Sequence, residues 1–83
     1  MARWKIVFSK EAHKQFNRLP TGYHNKVELL LQKLAHNALL DIRHIKGELA
    51  TFRIRLGKYR ILFKRFENDM TYLVFRISTR GDA

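Results

Sequence analysis

The residues with the clearest chemical potential in this sequence are arginines that alternate with apolar residues in its C-terminal half. Arg53, Arg55, Arg60 and Arg76 each stand between two hydrophobic neighbours. Alternation with period two predicts β-strands that carry their basic side chains on one face. A guanidinium group stays protonated near neutral pH and matches phosphate oxygens in bidentate geometry. We therefore expect these strands to build a face that binds phosphate.

A predicted hairpin turn sets two of these arginines opposite each other. Gly57 and Lys58 suit a two-residue loop, with glycine at the first central position, as a type II′ turn requires. This loop pairs Arg55 with Arg60 on neighbouring strands. Like charges in directly opposed positions destabilise a sheet, by a few tenths of a kcal/mol to about 1 kcal/mol. A bound anion would relieve that repulsion.

The next predicted turn, a three-residue loop over residues 67–69, extends the pair into a row. It places Arg76 opposite Arg60, so that Arg55, Arg60 and Arg76 lie side by side across three strands. The same face is expected to carry four further residues, namely Arg53, Lys64, Tyr72 and Arg80.

An ordinary solvent-facing sheet surface is the alternative explanation for these arginines. Antiparallel sheets commonly have a polar outer face, and a basic protein fills it with lysine and arginine. The positions of the acids favour an anion site instead. Glu48, Glu67 and Asp69 all fall in predicted turns, and no acid falls inside a predicted strand of this half.

The N-terminal half predicts the elements that must support this sheet. Residues 4–8 alternate as a short strand, and Ser9 is a suitable N-cap for a helix that ends before Pro20. Apolar residues then recur at helical spacing over residues 22–36, which predicts a second helix. The short connection over residues 19–21 makes the two helices an antiparallel hairpin.

The whole chain, residues 1–83, is predicted to be a single α+β domain. Its order is an N-terminal strand, an antiparallel helical hairpin and a three-strand antiparallel meander that begins at Thr51. We interpret residues 36–50 as a connection with a turn at Gly47. The first strand should join one edge of the sheet. It can pair with the last strand, which we prefer, or with the first strand of the meander.

Composition narrows the classes of partner and excludes several kinds of site. The net charge of +10 favours polyanions, but does not choose between nucleic acid, an acidic membrane surface and an acidic protein. The absence of cysteine excludes a disulfide scaffold and a thiol nucleophile. The four histidines lack metal-ligand spacing with a supporting carboxylate, so we expect no metal and no other cofactor. Without a signal peptide or a membrane span, a soluble cytoplasmic protein is expected.

The C-terminal half resembles the RelE/ParE toxin superfamily. The resemblance lies in Ile45-Lys46-Gly47, in the alternating segment over residues 52–63 with its Gly-Lys-Tyr-Arg hairpin, and in the closing segment over residues 77–83. It implies a fold like that of microbial ribonucleases, and an acidic, RelB-like antitoxin as partner. For the RelE branch it also implies metal-independent cleavage of mRNA in the decoding site of the ribosome, which inhibits translation.

The resemblance also implies roles for individual residues. Arg60 matches the hairpin arginine that clamps the scissile phosphate, and Arg80 matches the arginine of the closing segment. Arg53 and Arg55 match two basic positions that are lysines in some members. A guanidinium is a poor general base, so these two are expected to bind phosphate. RNA binding beyond these four catalytic candidates is assigned to Arg76, Lys64, Lys46 and Tyr72.

Two other functions stay open at this point. ParE-like members share the fold and inhibit DNA gyrase by binding it, without acting as enzymes. Many RelE members place a tyrosine shortly after the closing arginine, and no such tyrosine stands between Arg80 and Ala83. A relative that only binds an antitoxin or RNA is therefore the third hypothesis.

Overall fold

The computed structural model describes residues 3–36 and 42–79, which form two helices and one five-stranded sheet. The predicted α+β class is confirmed. The elements in chain order are β1 (Lys5–Phe8), α1 (Lys10–Asn17), α2 (Thr21–Ala35), β2 (Ile42–His44), β3 (Thr51–Leu56), β4 (Tyr59–Phe66) and β5 (Thr71–Thr79).

The helical hairpin forms where capping and periodicity predict it. The Ser9 hydroxyl oxygen accepts a hydrogen bond from the N–H of Ala12 at 3.1 Å and so caps α1 as expected. Pro20 stands at the N-cap of α2, where its lack of an N–H costs nothing. The apolar stripe of α2 buries Val27 and Leu34. In the described ranges, neither helix is long and apolar enough to cross a membrane.

The sheet has the strand order β1-β5-β4-β3-β2. β1 pairs with β5 in parallel, which confirms the preferred position of the N-terminal strand. β2 was not predicted, because Ile42–His44 is too short for its alternation to stand out within the connection. It pairs antiparallel with β3 and adds an edge strand beside the meander.

One face of the sheet packs against the helices, and we call it the inner face. Ile54, Ile61, Phe63 and Val74 project from it into the core, and each is at most 2% exposed. Trp4 is also buried. The opposite side, which we call the outer face, carries the residues that alternate with these core positions.

The pairing of β4 with β5 differs from the predicted register. Four residues, not three, connect the strands, and Phe66 pairs with Thr71. A β-bulge then follows, because Phe63 pairs with Val74 whereas Leu62 pairs with Arg76, which leaves Phe75 as an extra residue. The two departures change which residues of β5 reach the outer face.

Candidate nucleic-acid interface

The β3–β4 hairpin sets Arg55 directly opposite Arg60 on the outer face, as predicted. Gly57 allows this tight turn because its φ is +58°, a region that other residues rarely adopt. A Cβ on Gly57 would also lie 2.9 Å from the Tyr23 hydroxyl oxygen of α2. The turn is therefore fitted against the helical layer, and it holds the two guanidinium-bearing positions side by side.

Arg76 does not complete the predicted row. Ser78 lies opposite Arg60, and Arg76 lies opposite Leu62. The prediction is wrong because the longer turn and the bulge at Phe75 move β5 relative to β4. Arg76 remains exposed on the outer face. It lies two residues along β5 from the partner of Arg60, so the two arginines are diagonal neighbours.

The pairing of β2 with β3 brings another arginine to the same face. Arg43 of β2 pairs with Arg53 of β3, and Arg53 pairs in turn with Leu62. With Arg76, this makes a four-strand line about 14 Å long at the usual strand spacing. Arg43 was not predicted on this face, because the three-residue strand Ile42–His44 is too short to give a pattern of its own. We call the five outer-face arginines the arginine cluster: Arg43, Arg53, Arg55, Arg60 and Arg76.

The described strands that build the outer face carry basic residues and no carboxylate. None of the five strands contains aspartate or glutamate, and an ion pair joins Arg65 to Glu67 in the turn after β4 at 3.5 Å. Arg60 is half-buried, and its Nε atom is buried without a hydrogen-bond partner. A buried polar donor left unsatisfied costs about 1–3 kcal/mol. An anion that accepts from this guanidinium would offset that cost.

The remaining basic candidates lie outside the arginine cluster. Lys64 is exposed on the outer face, and its Nζ atom lies 5.8 Å from the centre of the Phe75 ring. Lys46 is exposed in the loop between β2 and β3, outside the strands. Arg80 lies outside the described residues.

Tyr72 lies on the inner face, so its predicted place on the outer face is wrong. It is 3% exposed, and its ring stacks on Trp4 with 4.6 Å between centroids. The Arg65 guanidinium covers the Trp4 ring at 4.7 Å. The reason is again the four-residue turn, which reverses the orientation of every β5 residue before the bulge.

Histidine does not reach the outer face in the parts of the chain that the structure describes. His44 pairs with Phe52, an inner-face position, and their rings contact at 5.1 Å. His24 stacks on Phe16 between the helices, with centroids 4.7 Å apart. Residues 3–36 and 42–79 also contain no group of three or more histidine, cysteine and carboxylate side chains that could hold a metal ion.

Comparison with known proteins gives relatives that extend over most of the chain. No protein-family model matches it. Toxin RelE3 of Methanocaldococcus jannaschii is 34% identical over 62 residues, which cover 69% of this chain and 70% of that protein. A second curated protein of that organism, named RelE1, is 26% identical over 85 residues and covers 98% of this chain and 94% of its own length.

A solved structure of a toxin–antitoxin complex has a similar fold. A chain of the toxin–antitoxin complex RelBE2 from Mycobacterium tuberculosis aligns with a TM-score of 0.79 and 25% identity, over 94% of this chain and 99% of that one. The order of the elements and the Gly-Lys-Tyr-Arg hairpin are those expected for a RelE toxin. Both curated relatives carry that name. This chain belongs to the RelE toxin family.

Proposed function

We propose that this toxin is an endoribonuclease that cuts mRNA in the ribosome without a metal ion and so inhibits translation. The observation that carries the proposal is the opposition of Arg55 and Arg60 on a sheet face whose strands have no carboxylate. Arg60 adds a buried Nε without a hydrogen-bond partner, which costs the fold free energy that an anion would offset. RNA phosphates complement these guanidinium groups in charge and in geometry.

The proposed reaction transfers the phosphoryl group within the RNA chain. The 2′-oxygen of one nucleotide attacks the adjacent phosphorus, and the bond from phosphorus to the 5′-oxygen of the next nucleotide breaks. One P–O bond replaces another, which leaves a 2′,3′-cyclic phosphate and a free 5′-hydroxyl. The 2′-hydroxyl loses its proton to solvent and the 5′-oxygen gains one from solvent, since guanidinium groups are poor general bases.

Under this proposal the arginines act by stabilising charge. Arg60 clamps the scissile phosphate, because it lies at the centre of the arginine cluster and presents a buried Nε without a partner. Arg53 and Arg55 hold the neighbouring phosphates from β3. Arg80 is assigned a second clamp on the resemblance to the family alone. RNA-backbone binding beside them is assigned to Arg76, Lys64 and Lys46.

We also propose an acidic antitoxin as the partner of this chain in the cell. The net charge of +10 favours an acidic protein, and the M. tuberculosis neighbour was solved as a toxin–antitoxin complex. Co-expression of a small acidic reading frame beside the gene should suppress the toxin's growth arrest. Unchanged arrest with every adjacent acidic frame would contradict this assignment.

Ribosomes programmed with a defined mRNA test the proposed activity. The purified chain should produce breaks within the decoding-site codon, mapped by primer extension, and Arg60→Ala should abolish them. Arg18→Ala is a matched control, because Arg18 is exposed at the end of α1, away from the sheet's outer face. Loss of gyrase supercoiling with intact mRNA would instead support a gyrase inhibitor. Growth arrest without either effect would also contradict the proposal.

A further inference from the structure

The β-bulge in β5 turns an aromatic ring toward the arginine cluster. Phe75 is the extra residue of the bulge, directly before Arg76. In such a bulge, two successive residues stand opposite one residue of the partner strand, and the bulge re-aims their side chains. The contact with the Lys64 ammonium group at 5.8 Å places the Phe75 ring on the outer face.

This ring is not part of the hydrophobic core. Phe75 is half-buried and does not belong to the cluster of core residues or to the apolar residues packed against it. The same holds for Leu62 and Leu73, both half-buried, and for Val7, which is 39% exposed. Val7 pairs with Leu73, which stands opposite Lys64, and Leu62 stands opposite Arg76 on the other side of the bulge. An apolar patch thus lies inside a cationic face.

We propose that Phe75, with Leu62 and Leu73, forms a stacking site for one nucleobase of the RNA whose phosphates the arginine cluster binds. Single-stranded RNA is recognised by aromatic rings that stack on unpaired bases beside cations that track the backbone. Phe75 supplies such a ring, and the neighbouring cations are Arg76, which follows it in sequence, and Lys64, which lies over its ring. The inference rests on the proposed function and adds a base-binding subsite to it.

The backbone of the bulge that carries this ring is held by the helical layer. The Ser9 hydroxyl donates a hydrogen bond to the carbonyl oxygen of Phe75 at 3.2 Å. The side-chain oxygen of Gln15 accepts one from the N–H of Ile77 at 2.6 Å. Both partners belong to α1 or its cap, so the helical layer fixes the backbone on each side of Arg76. A fixed backbone lowers the conformational entropy that is lost when a base stacks on the ring.

Binding of two matched oligomers tests the inference. The probes are a short fluorescent oligoadenylate and an abasic oligomer with the same number of phosphates, measured by anisotropy. Stacking of one base should make the oligoadenylate bind about 5- to 150-fold more tightly than the abasic oligomer. Phe75→Leu should remove this preference and change abasic binding less than about twofold. Phe75→Tyr should retain the preference, because tyrosine keeps the aromatic face.

Phe66→Leu is the matched control. Phe66 is 43% exposed and lies at the end of β4, about 13 Å along the strand from Leu62 and outside the proposed base site, so both affinities should stay unchanged. Equal affinity of the parent chain for the two oligomers would overturn the base subsite and leave the phosphate-binding face supported. Failure of the parent to bind either oligomer would overturn this inference and the proposed function together. Equal weakening of polyglutamate binding by Phe75→Leu would identify a protein contact and also overturn it.

A cross-linking measurement on the parent chain does not depend on the folding of a variant. Oligonucleotides with 4-thiouridine, irradiated with the protein, should cross-link to the peptide that spans the bulge, and fragmentation should place the adduct at Phe75 or a direct neighbour. Adducts confined to the helices or to Phe66 would overturn the inference.

Discussion

The side-chain oxygen of Gln15 accepts a hydrogen bond from the backbone N–H of Ile77 at 2.6 Å, across 62 residues of sequence. Strand β1 pairs with β5 only as far as Val74. Beyond that point α1 supplies the hydrogen-bond acceptor for the β5 backbone that a longer β1 would supply. The backbone of Ser9 does the same for Val74, since its N–H donates to the Val74 carbonyl at 2.9 Å. Helix α1 thereby sets the bulged segment that presents Phe75 and Arg76.

Loss of the Gln15 side chain should destabilise the fold and disturb the outer face. Gln15→Ala leaves the N–H of Ile77 without its partner, which should lower the free energy of unfolding by about 1–3 kcal/mol. Urea denaturation measures this loss. Gln32→Ala, at an exposed position of α2, should change stability by less than about 0.5 kcal/mol. Equal stability of the two variants would show that the Gln15 bond is not needed.

The helical layer makes a second prediction about stability. Leu34 is 1% exposed, so Leu34→Ala should lower the free energy of unfolding by about 2–5 kcal/mol through lost burial and a cavity. Leu29 on the same helix is 58% exposed and serves as the control, with an expected loss below about 0.5 kcal/mol. Thermal or urea unfolding of both variants checks this. Similar losses at the two leucines would contradict the described packing of α2.

Inorganic phosphate should stabilise the protein more than chloride does at equal ionic strength. An anion bound by Arg60 satisfies its buried Nε, and binding to the folded state alone contributes about 1.4 kcal/mol at ten times the dissociation constant. For a domain of this size, that raises Tm by about 5–11 °C. Arg60→Gln should lose most of the difference between the salts. A phosphate effect that persists in this variant would place the anion elsewhere.

Removal of the Arg60 guanidinium should abolish toxicity. Induced expression of the parent chain should arrest growth, whereas cells that express Arg60→Ala should grow, because the scissile phosphate loses its clamp. Immunoblots and thermal melts verify that the variant accumulates and folds. Arg18→Ala, as a control of equal charge change, should remain toxic. Continued arrest by folded Arg60→Ala would show that Arg60 is not essential.

The sequence predicts well those features that local patterns determine. The Ser9 cap, the apolar stripe of α2 and the Arg55–Arg60 pair follow from a capping residue, a helical period and a two-residue turn. Each of these signals involves residues close in sequence. For that reason the predicted class, the helical hairpin and the Arg55–Arg60 pair agree with the structure.

The features that were predicted incorrectly depend on distant residues. The bulge at Phe75 is held by hydrogen bonds from Ser9 and Gln15, which lie 66 and 62 residues from their partners. Strand β2 is only three residues long and forms by pairing with β3. No periodicity in β5 encodes the first feature, and no local run is long enough for the second. Tyr72 and Arg76 were therefore misplaced, and Arg43 was missed.

The salt dependence of RNA binding tests most directly whether the arginine cluster holds the RNA backbone. For single strands, each neutralised phosphate contributes about 0.7 to the slope of log K against log salt concentration. Arg60→Gln should reduce that slope by about 0.7, whereas Lys33→Gln, at an exposed position of α2, should leave it unchanged. A reduced slope for Lys33→Gln with an unchanged slope for Arg60→Gln would place the RNA on the helices and contradict the account.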